Sequence, residues 1–355
     1  MEDLVVKRFS DLDLSQSFFD SLKQDYPGFT EWFNKKSLSG EEATVYFQDG
    51  EIKDFLYLKV EDEALSSDKG FEPSYPQKRR LKVGTFKIEP RGTRRGERFI
   101  KRILDYAIDK RIEEIYVTIF PEHDSLINLF KRYGFVEISK KHHSTGSYEL
   151  VLMKSFQSDT GDVLKDYPRI HTKGVSKYLL SIYPKYHTRL FPDSILHNES
   201  RYDLISDLSP TNSIHKIYVC FMPDVTQMKK GDVVIIYRTT DIPGRAYYRS
   251  VVTSVCVVEE VLKKSDFRDS SDFVHQTNKY SIFSDTDLLL WYRKPNVFIV
   301  KLTYNVALTK RVTRESLINE IGLDPNAYWG FMKLSDGQFG SIIKAGQANE
   351  DYFID

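Results

Sequence analysis

The stretch at 81–135 constrains the fold of this chain more than any other, because it contains a complete strand, turn, helix and strand in sequence. A β-type run is followed by a basic turn, RGTRRG, and by a long amphipathic helical pattern. A second β-type run, EIYVTIF, then precedes a short helix and a closing Gly134-Phe135. This order predicts a mixed α/β layer in which one crossover helix joins two strands.

The basic turn lies where the first strand ends and the helix begins. Free N–H groups and the positive end of the helix dipole favour an anion at such a junction, and guanidinium groups offer paired donors suited to phosphate. The arginines in or beside the turn are Arg91, Arg94, Arg95 and Arg98. They could instead form a solvated helix face, and neither a P-loop nor a GxGxxG fingerprint is present. Their position around two glycines favours a site for a phosphorylated ligand.

The composition of the whole chain sets wider bounds. At 355 residues we expect two domains. The net charge is zero, so bulk charge gives no argument for a nucleic acid or a membrane, although the segment 78–102 is locally basic. Cys220 and Cys256 lie in apolar runs and are predicted to be buried free thiols, which excludes a disulfide framework.

Targeting and membrane signals are not recognised in the sequence. The start, MEDLVVKRFSDLDL, has no basic segment followed by an apolar core. No apolar run approaches the roughly 18 residues that a membrane helix needs. We therefore expect a soluble protein of a reducing compartment, the cytoplasm, with no membrane partner and no metal site.

The chain divides into an α/β half and a mostly β half. We predict a first domain at 1–156, a linker at 157–175 and a second domain at 176–355. Elements predicted in the first domain are a strand at 3–9, helices at 14–26 and 29–36, a hairpin turning at Asp49-Gly50, and strands at 135–140 and 147–154. Elements predicted in the second domain are strands within 215–222, 231–239, 247–262 and 296–308, with helical inserts at 271–292 and 313–320.

The first half resembles the GNAT superfamily of acyl-CoA N-acyltransferases. The family's pyrophosphate loop follows Q/R-x-x-G-x-G/A, and Arg91, Arg94 and Gly96 stand at its three defining positions, with arginine replacing the middle glycine. The resemblance implies an α/β mixed sheet with flanking helices and acetyl-CoA, or another acyl-CoA, as donor. The residues that it implies for the cofactor are Phe86, Lys87, Ile88, Arg91, Gly92, Thr93, Arg94, Arg95, Gly96, Glu97 and His123.

The resemblance also implies catalytic roles. The backbone N–H that polarises the thioester carbonyl falls on Phe86. Family members often carry an Asn and, seven residues later, a Tyr that protonates the departing thiolate; His123 and Phe130 stand at these positions. His123 is a candidate for proton transfer or for a surface role, and Tyr133 is either a substitute acid or a core residue. Glu41 and Glu89 are possible bases, and the base is not assigned.

The second half resembles the PUA-like group that includes ASCH, EVE and YTH domains. The resemblance rests on the strand GDVVIIY, the long strand that follows it, and the final FMKL…II. It implies a small barrel with helical inserts that binds RNA or holds a base among aromatic side chains. The available aromatics are Trp291, Tyr292, Tyr328 and Trp329. Each could equally be a core residue.

Three hypotheses follow. The first is an N-acetyltransferase whose second domain presents RNA, including the amino group of an aminoacyl-tRNA, which is the acceptor of toxin members of the family. The second keeps the enzyme but gives it a protein or small-amine acceptor, with the barrel as a docking module. The third is a non-catalytic sensor of CoA or nucleic acid, marked by Arg94 and Phe130.

Overall fold

The computed structural model describes residues 4–89, 95–191, 194 and 214–355. These residues form two compact units, one before and one after the boundary at Ser158 and Asp159. The predicted fold class is confirmed: the first unit is a mixed α/β sheet with flanking helices, and the second is mostly β with helical inserts. None of the helices in the described segments has the length and hydropathy of a membrane span.

The first unit contains eight paired strands and four α-helices among its described residues. Its strands are β1 (Leu4–Arg8), β2 (Glu42–Gln48), β3 (Glu51–Glu61), β4 (Phe71–Glu72), β5 (Arg80–Ile88), β6 (Glu114–Ile119), β7 (Val136–His142) and β8 (Tyr148–Ser155). Its helices are α1 (Asp20–Asp25), α2 (Phe29–Leu38), α3 (Arg95–Asp109) and α4 (Asp124–Arg132). The sheet order is β1-β2-β3-β5-β6-β8-β7-β4, and only the β5–β6 pairing is parallel.

Local sequence signals account for several of these elements. Asp49 and Gly50 have φ angles of 52° and 83°, as the predicted type I′ hairpin turn requires. The predicted core face of α3 is also confirmed, because its apolar residues are fully buried. They are Phe99, Ile100, Ile103, Leu104 and Ala107.

The first predicted helix, 14–26, is shorter in the structure. The Asp13 side chain accepts a hydrogen bond from the Ser15 N–H at 2.8 Å, and Gln16 accepts one from the Ile52 N–H at 2.9 Å. These bonds hold a turn where the apolar periodicity predicts a helix, because polar side chains there compete for backbone groups. The α-helix therefore begins only at Asp20.

The second unit is built on a six-stranded sheet. The described residues of this unit form eight strands, of which two, β9 and β16, pair with each other outside the main sheet. The eight strands are β9 (Ile170–His171), β10 (Lys177–Ile182), β11 (His215–Cys220), β12 (Val233–Arg238), β13 (Val251–Lys263), β14 (Phe298–Thr313), β15 (Phe331–Leu334) and β16 (Phe353–Ile354). Its helices are α5 (Pro184–Leu190), α6 (Ala246–Arg249), α7 (Ser270–Asn278), α8 (Asp285–Tyr292), α9 (Arg314–Asn319) and α10 (Asp336–Ala345). The main sheet runs β11-β14-β13-β12-β10-β15. A pairing that would close it into the predicted barrel is not found among the described residues.

The segment predicted as a linker packs into the second unit. Tyr167 and Ile170 are fully buried, and the Tyr167 hydroxyl donates to the Tyr304 carbonyl at 2.8 Å. The side-chain amide of Asn305 donates to the Pro168 carbonyl at 3.0 Å. The sequence lacks periodicity here because the segment packs through single side chains and one two-residue strand. Elsewhere in the second unit, Cys220 and Cys256 are buried free thiols, as predicted.

Candidate active site

A cleft opens in the first unit where two parallel strands separate. β5 and β6 pair from Arg80–Glu114 to Val83–Val117, and the pairing ends there. β5 nevertheless continues to Ile88, still paired with β3 on its other side. Residues 84–88 thus present a strand edge inside the sheet, and such an edge can hydrogen-bond an extended ligand.

The separation coincides with a β-bulge at Gly84. Leu58 pairs with Val83 and Tyr57 pairs with Thr85, so Gly84 is the additional residue on β5. A Cβ atom at Gly84 would lie 2.6 Å from Cδ1 of Tyr57. Glycine is therefore required for the close approach of β5 to this ring.

The ladder also fixes which backbone groups point into the cleft. The Glu89 N–H donates to the Lys53 carbonyl at 2.7 Å, which makes this a hydrogen-bonded pair. Pairs alternate along an antiparallel ladder, so Ile88 and Phe86 occupy non-hydrogen-bonded pairs opposite Asp54 and Leu56. Their N–H and C=O groups point away from β3, toward the side that β6 has left. The Phe86 N–H therefore points into the cleft, and its role as the oxyanion donor stays a prediction.

The side chains of β5 line the two faces of this edge. The Phe86 ring packs against Phe99 and Phe130, with centroids 5.7 and 5.6 Å away. Lys87 points to the opposite face, where its ammonium donates to the Ser21 hydroxyl at 2.8 Å and to the Phe18 carbonyl. Burial lowers the pKa of Lys87. Lys87 is thus bound to the α1 side and contributes to the position of the strand.

The basic turn is only partly described by the structure. The predicted ligand-binding residues Arg91, Gly92, Thr93 and Arg94 lie outside the described residues. Arg95 is the first residue of α3, and its guanidinium faces the sheet. Its Nε lies 3.2 Å from Oδ2 of Asp54. The guanidinium also stacks on the Tyr46 ring at 4.7 Å and donates to the Glu89 carbonyl. The role of Arg95 in binding a phosphate stays a prediction. A buried carboxylate attracts its guanidinium inward.

Asp54 is the buried carboxylate beneath this helix start. It is 0% exposed, and burial raises its pKa to about 7, against the charges of Arg95 and Arg98, which lower it. Asp54 therefore titrates near neutral pH next to the predicted phosphate site.

The next two residues of α3 pack against α4. A Cβ atom at Gly96 would lie 2.9 Å from Cδ2 of Leu129, so the first turn of α3 lies close to that side chain. Glu97 is buried, and one of its carboxylate oxygens lies 3.4 Å from Nη1 of Arg132. The Glu97 side chain thus serves the contact between the two helices.

The predicted proton-transfer residues lie in different surroundings. His123 precedes α4 with its side chain 40% exposed, and its Nε2 lies 3.9 Å from Oδ2 of Asp25. Phe130 and Tyr133 are 0% exposed, which agrees with the interpretation of Tyr133 as a core residue. Glu41 and Glu89, the possible bases, are partly exposed beside Lys36 and Lys87.

One group of residues near the cleft was not predicted. Tyr26, Phe120, His143 and Glu149 come from three separate parts of the chain and meet at the carboxyl end of β6. The sequence signal was the polar segment KKHHSTGS, which indicates only a turn between two strands. The pairing of β8 with β6 brings Phe120 close to Glu149, and Tyr26 packs on Phe120 from the turn between α1 and α2.

The four predicted aromatic residues of the second unit form two groups. Trp291 and Tyr292 pack against Phe283 and Phe273, with centroids 4.4 and 5.2 Å away, as part of a hydrophobic cluster. Trp329 is 8% exposed, with Tyr237 at 5.3 Å and the guanidinium of Arg314 at 4.3 Å. Its neighbour Tyr328 is 65% exposed. Tyr328 is therefore the predicted aromatic residue best placed to stack on a base.

Three side chains in the second unit have the donor types of a metal site. Asp159, Asp166 and His171 have ligand atoms within 4.8 Å of one another. His171 Nε2 lies 3.1 Å from both carboxylates, and Asp166 also accepts hydrogen bonds from the N–H and hydroxyl of Thr160. These contacts account for the group without an ion, and we assign no metal to it.

No protein-family model and no curated protein matches the sequence. Solved structures of two kinds are similar to it. Ard1 from Thermoplasma volcanium is 14% identical, with 42% of this chain and 96% of that one covered, at a TM-score of 0.32. A GNAT family acetyltransferase from Elizabethkingia anophelis with acetyl-CoA bound is 10% identical, with 44% and 99% covered, at 0.31.

The second kind is an ASCH protein from Zymomonas mobilis, 8% identical, with 47% of this chain and 94% of that one covered, at a TM-score of 0.32. Both kinds of neighbour agree with the two resemblances predicted from the sequence.

Proposed function

We propose that the first unit is an acyl-CoA-dependent N-acyltransferase that uses acetyl-CoA. The observation that carries the proposal is the open edge of β5, with the Phe86 and Ile88 N–H groups directed into the cleft. Amide groups of the pantetheine arm can pair with this edge as a short added strand. The pyrophosphate then lies at the start of α3, where the positive end of the helix dipole favours an anion. Gly96, in the first turn of α3, belongs to this end of the cleft.

In the proposed reaction these residues contribute mainly electrostatic stabilisation of the transition state. The acceptor nitrogen attacks the thioester carbonyl, and negative charge develops on the carbonyl oxygen. The Phe86 N–H is positioned to stabilise that charge, and removing a donor of this kind costs about 2.7–4 kcal/mol of transition-state stabilisation. Phe130 carries no hydroxyl, so the departing sulfur takes its proton from another group or from solvent.

We propose RNA, or an amino group attached to RNA, as the acceptor that the second unit presents. The exposed Tyr328, beside Trp329 and Arg314, supports this part of the proposal, because aromatic and guanidinium faces stack on bases. The alternatives are a protein or small-amine acceptor and a non-catalytic sensor.

The test is a transfer experiment with the full-length protein, radiolabelled acetyl-CoA, bulk tRNA that includes aminoacylated species, and total cell protein. We expect label in the RNA fraction. Label in the protein or small-molecule fraction would keep the enzyme and overturn the RNA acceptor. No label in any fraction, with acetyl-CoA still raising the melting temperature, would favour the sensor. No thermal shift and no label would overturn the proposed cofactor.

A further inference from the structure

The residues at the carboxyl end of β6 form a polar group at the mouth of the cleft, outside the residues predicted for the cofactor. β6 and β8 pair up to Ile119 and Leu150, so Phe120 and Glu149 follow as neighbours at the end of this ladder. The ladder between β6 and β5 has already ended at Val117. Phe120 and Glu149 thus lie beyond the point where the cleft opens, and Glu149 is one strand spacing, about 4.8 Å, from β6.

Side chains from two further elements complete the group. The Tyr26 ring, from the turn between α1 and α2, lies 5.1 Å from the Phe120 ring. The centroid of the His143 ring, from the β7–β8 hairpin, lies 5.8 Å from that of Phe120, and the two ring planes form an angle of 35°. Tyr26 and His143 thus both pack on the Phe120 ring, and each forms a hydrogen bond with the Glu149 side chain.

Glu149 anchors this group from inside the unit. Its side chain is 3% exposed, and its Oε2 lies 3.1 Å from Nε2 of His143 and 3.4 Å from Nζ of Lys141. The His143 side chain is 29% exposed, so it reaches solvent while its Nε2 is held by the carboxylate. A carboxylate that fixes one imidazole nitrogen leaves the other, Nδ1, to accept a proton.

Tyr26 is not the proton acceptor in this group. Burial, followed by the negative charges of Glu149 and Asp25, raises the pKa of Tyr26 above its usual value. Tyr26 therefore keeps its proton and acts as a donor. The charged groups around the imidazole are Glu149 and Lys141 from the same hairpin and Lys82 from β5, which interacts with both of them. Asp25 and Glu122 interact with Tyr26.

We propose that His143 is the general base of the transfer reaction and that Glu149 is its positioning residue. This inference rests on the proposed acyltransferase function. Before the attack, His143 Nδ1 takes one proton from the acceptor ammonium, directly or through one water. The neutral nitrogen then bonds to the acyl carbon, loses its second proton to solvent, and the carbon–sulfur bond breaks. A proton then returns to the thiolate from the imidazolium or from solvent, so that an amide and free CoA leave with no further reactant.

The chain offers a matched control, because His142 is the adjacent residue. His142 is exposed, and its ring lies 6.1 Å from that of Tyr148. His143→Gln and His142→Gln therefore make the same chemical change in the same hairpin. Only the first removes an imidazole paired with a buried carboxylate.

The experiment compares the full-length wild type with these two variants on two kinds of acceptor. The first is a mixture of aminoacyl-tRNAs and peptides with free amino termini, whose amines must lose a proton. The second is hydroxylamine, which is largely unprotonated at neutral pH. We expect His143→Gln to lower kcat toward the first kind by about 100-fold or more, the scale of a general base, and to leave hydroxylamine transfer and acetyl-CoA affinity nearly unchanged.

The pH profile supplies a second readout. For His143→Gln, we expect the rising limb of kcat/KM to move to higher pH, because the acceptor must then lose its proton to solvent. Glu149→Gln is expected to lower kcat without changing the KM for acetyl-CoA. If Glu149→Gln fails to fold, the two histidine variants still decide the question.

The outcomes separate this inference from the proposed function. Equal activity of His143→Gln and His142→Gln would overturn the base assignment while leaving the acyltransferase in place. An equal loss toward both kinds of acceptor would also overturn it, since that result indicates a structural role. A wild type that transfers acetyl groups to neither kind would overturn the proposed function and the base together.

Discussion

The main sheet of each unit contains one parallel strand pair among its described strands, and the two pairs end differently. In the second unit β10 and β12 pair along their whole length, from Lys177–Val233 to Ile182–Arg238. In the first unit β5 pairs with β6 only from Arg80 to Val83, although β5 continues to Ile88. One pair is therefore closed along its length, and the other opens halfway.

Because of this difference, we expect the two units to contact their proposed ligands through different groups. The open pair leaves backbone donors and acceptors for an extended ligand, so binding there depends on strand geometry more than on particular side chains. The closed pair uses its own backbone groups, so the RNA binding proposed for the second unit depends on exposed side chains such as Tyr328. In the proposed reaction, the direction of the Phe86 N–H therefore matters more than its side chain.

The largest expected effect comes from filling the bulge at which the open pair separates. In Gly84→Ala the new methyl group would lie 2.6 Å from the Tyr57 ring, which is enclosed by Phe9 and Trp32 at 5.3 and 5.6 Å. We expect the free energy of unfolding to fall by about 1–3 kcal/mol and acetyl-CoA affinity to fall, because β5 must move. Urea denaturation and calorimetric titration measure the two effects.

Gly340→Ala is the matched control for this prediction. Gly340 lies in α10 of the second unit, and a Cβ atom there would meet nothing within 4 Å. We expect a stabilisation of about 0.5–1 kcal/mol and unchanged acetyl-CoA affinity. If Gly84→Ala behaved in the same way as Gly340→Ala, the bulge would not determine the shape of the cleft.

A smaller effect is expected from Asp54, at the open end of the cleft. Its pKa is raised from the ordinary 3.8 to about 7, so its contribution to stability is full below pH 4 and is lost as the pH rises through 7. Asp54→Asn removes this titration. We therefore expect the stability of the variant relative to the wild type to increase between pH 5 and pH 8, by up to about 1.4 kcal/mol per pH unit.

Urea denaturation at pH 5 and pH 8 measures this difference. Asp20→Asn is the control, because it makes the same chemical change in the same unit at a surface position whose side chain is 66% exposed. A difference between Asp54→Asn and the wild type that stayed constant over this pH range would contradict the raised pKa of Asp54.

The sequence predicts those features that depend on local pattern. The core face of α3 follows from apolar spacing, and the Asp49-Gly50 turn follows from the φ angles that these two residues tolerate. These predictions need no knowledge of distant parts of the chain.

Features that depend on tertiary pairing are not predicted. The inward turn of Arg95 depends on Asp54, which comes from a different strand, and no local pattern links the two. The pairing of His143 with Glu149 depends on the register of a hairpin, and its place at the cleft depends on β6 lying beside β8. Such contacts are set by sheet topology, which a single sequence specifies only weakly.

Amide hydrogen exchange of the full-length protein, with and without acetyl-CoA, tests the account most directly. We predict that acetyl-CoA slows exchange at residues 84–88 of β5 and in the first turn of α3, and leaves 177–182 and 233–238 in the closed pair unchanged. Slowed exchange confined to the closed pair, or binding that leaves 84–88 unprotected, would contradict the claim that the open strand edge holds the acyl donor.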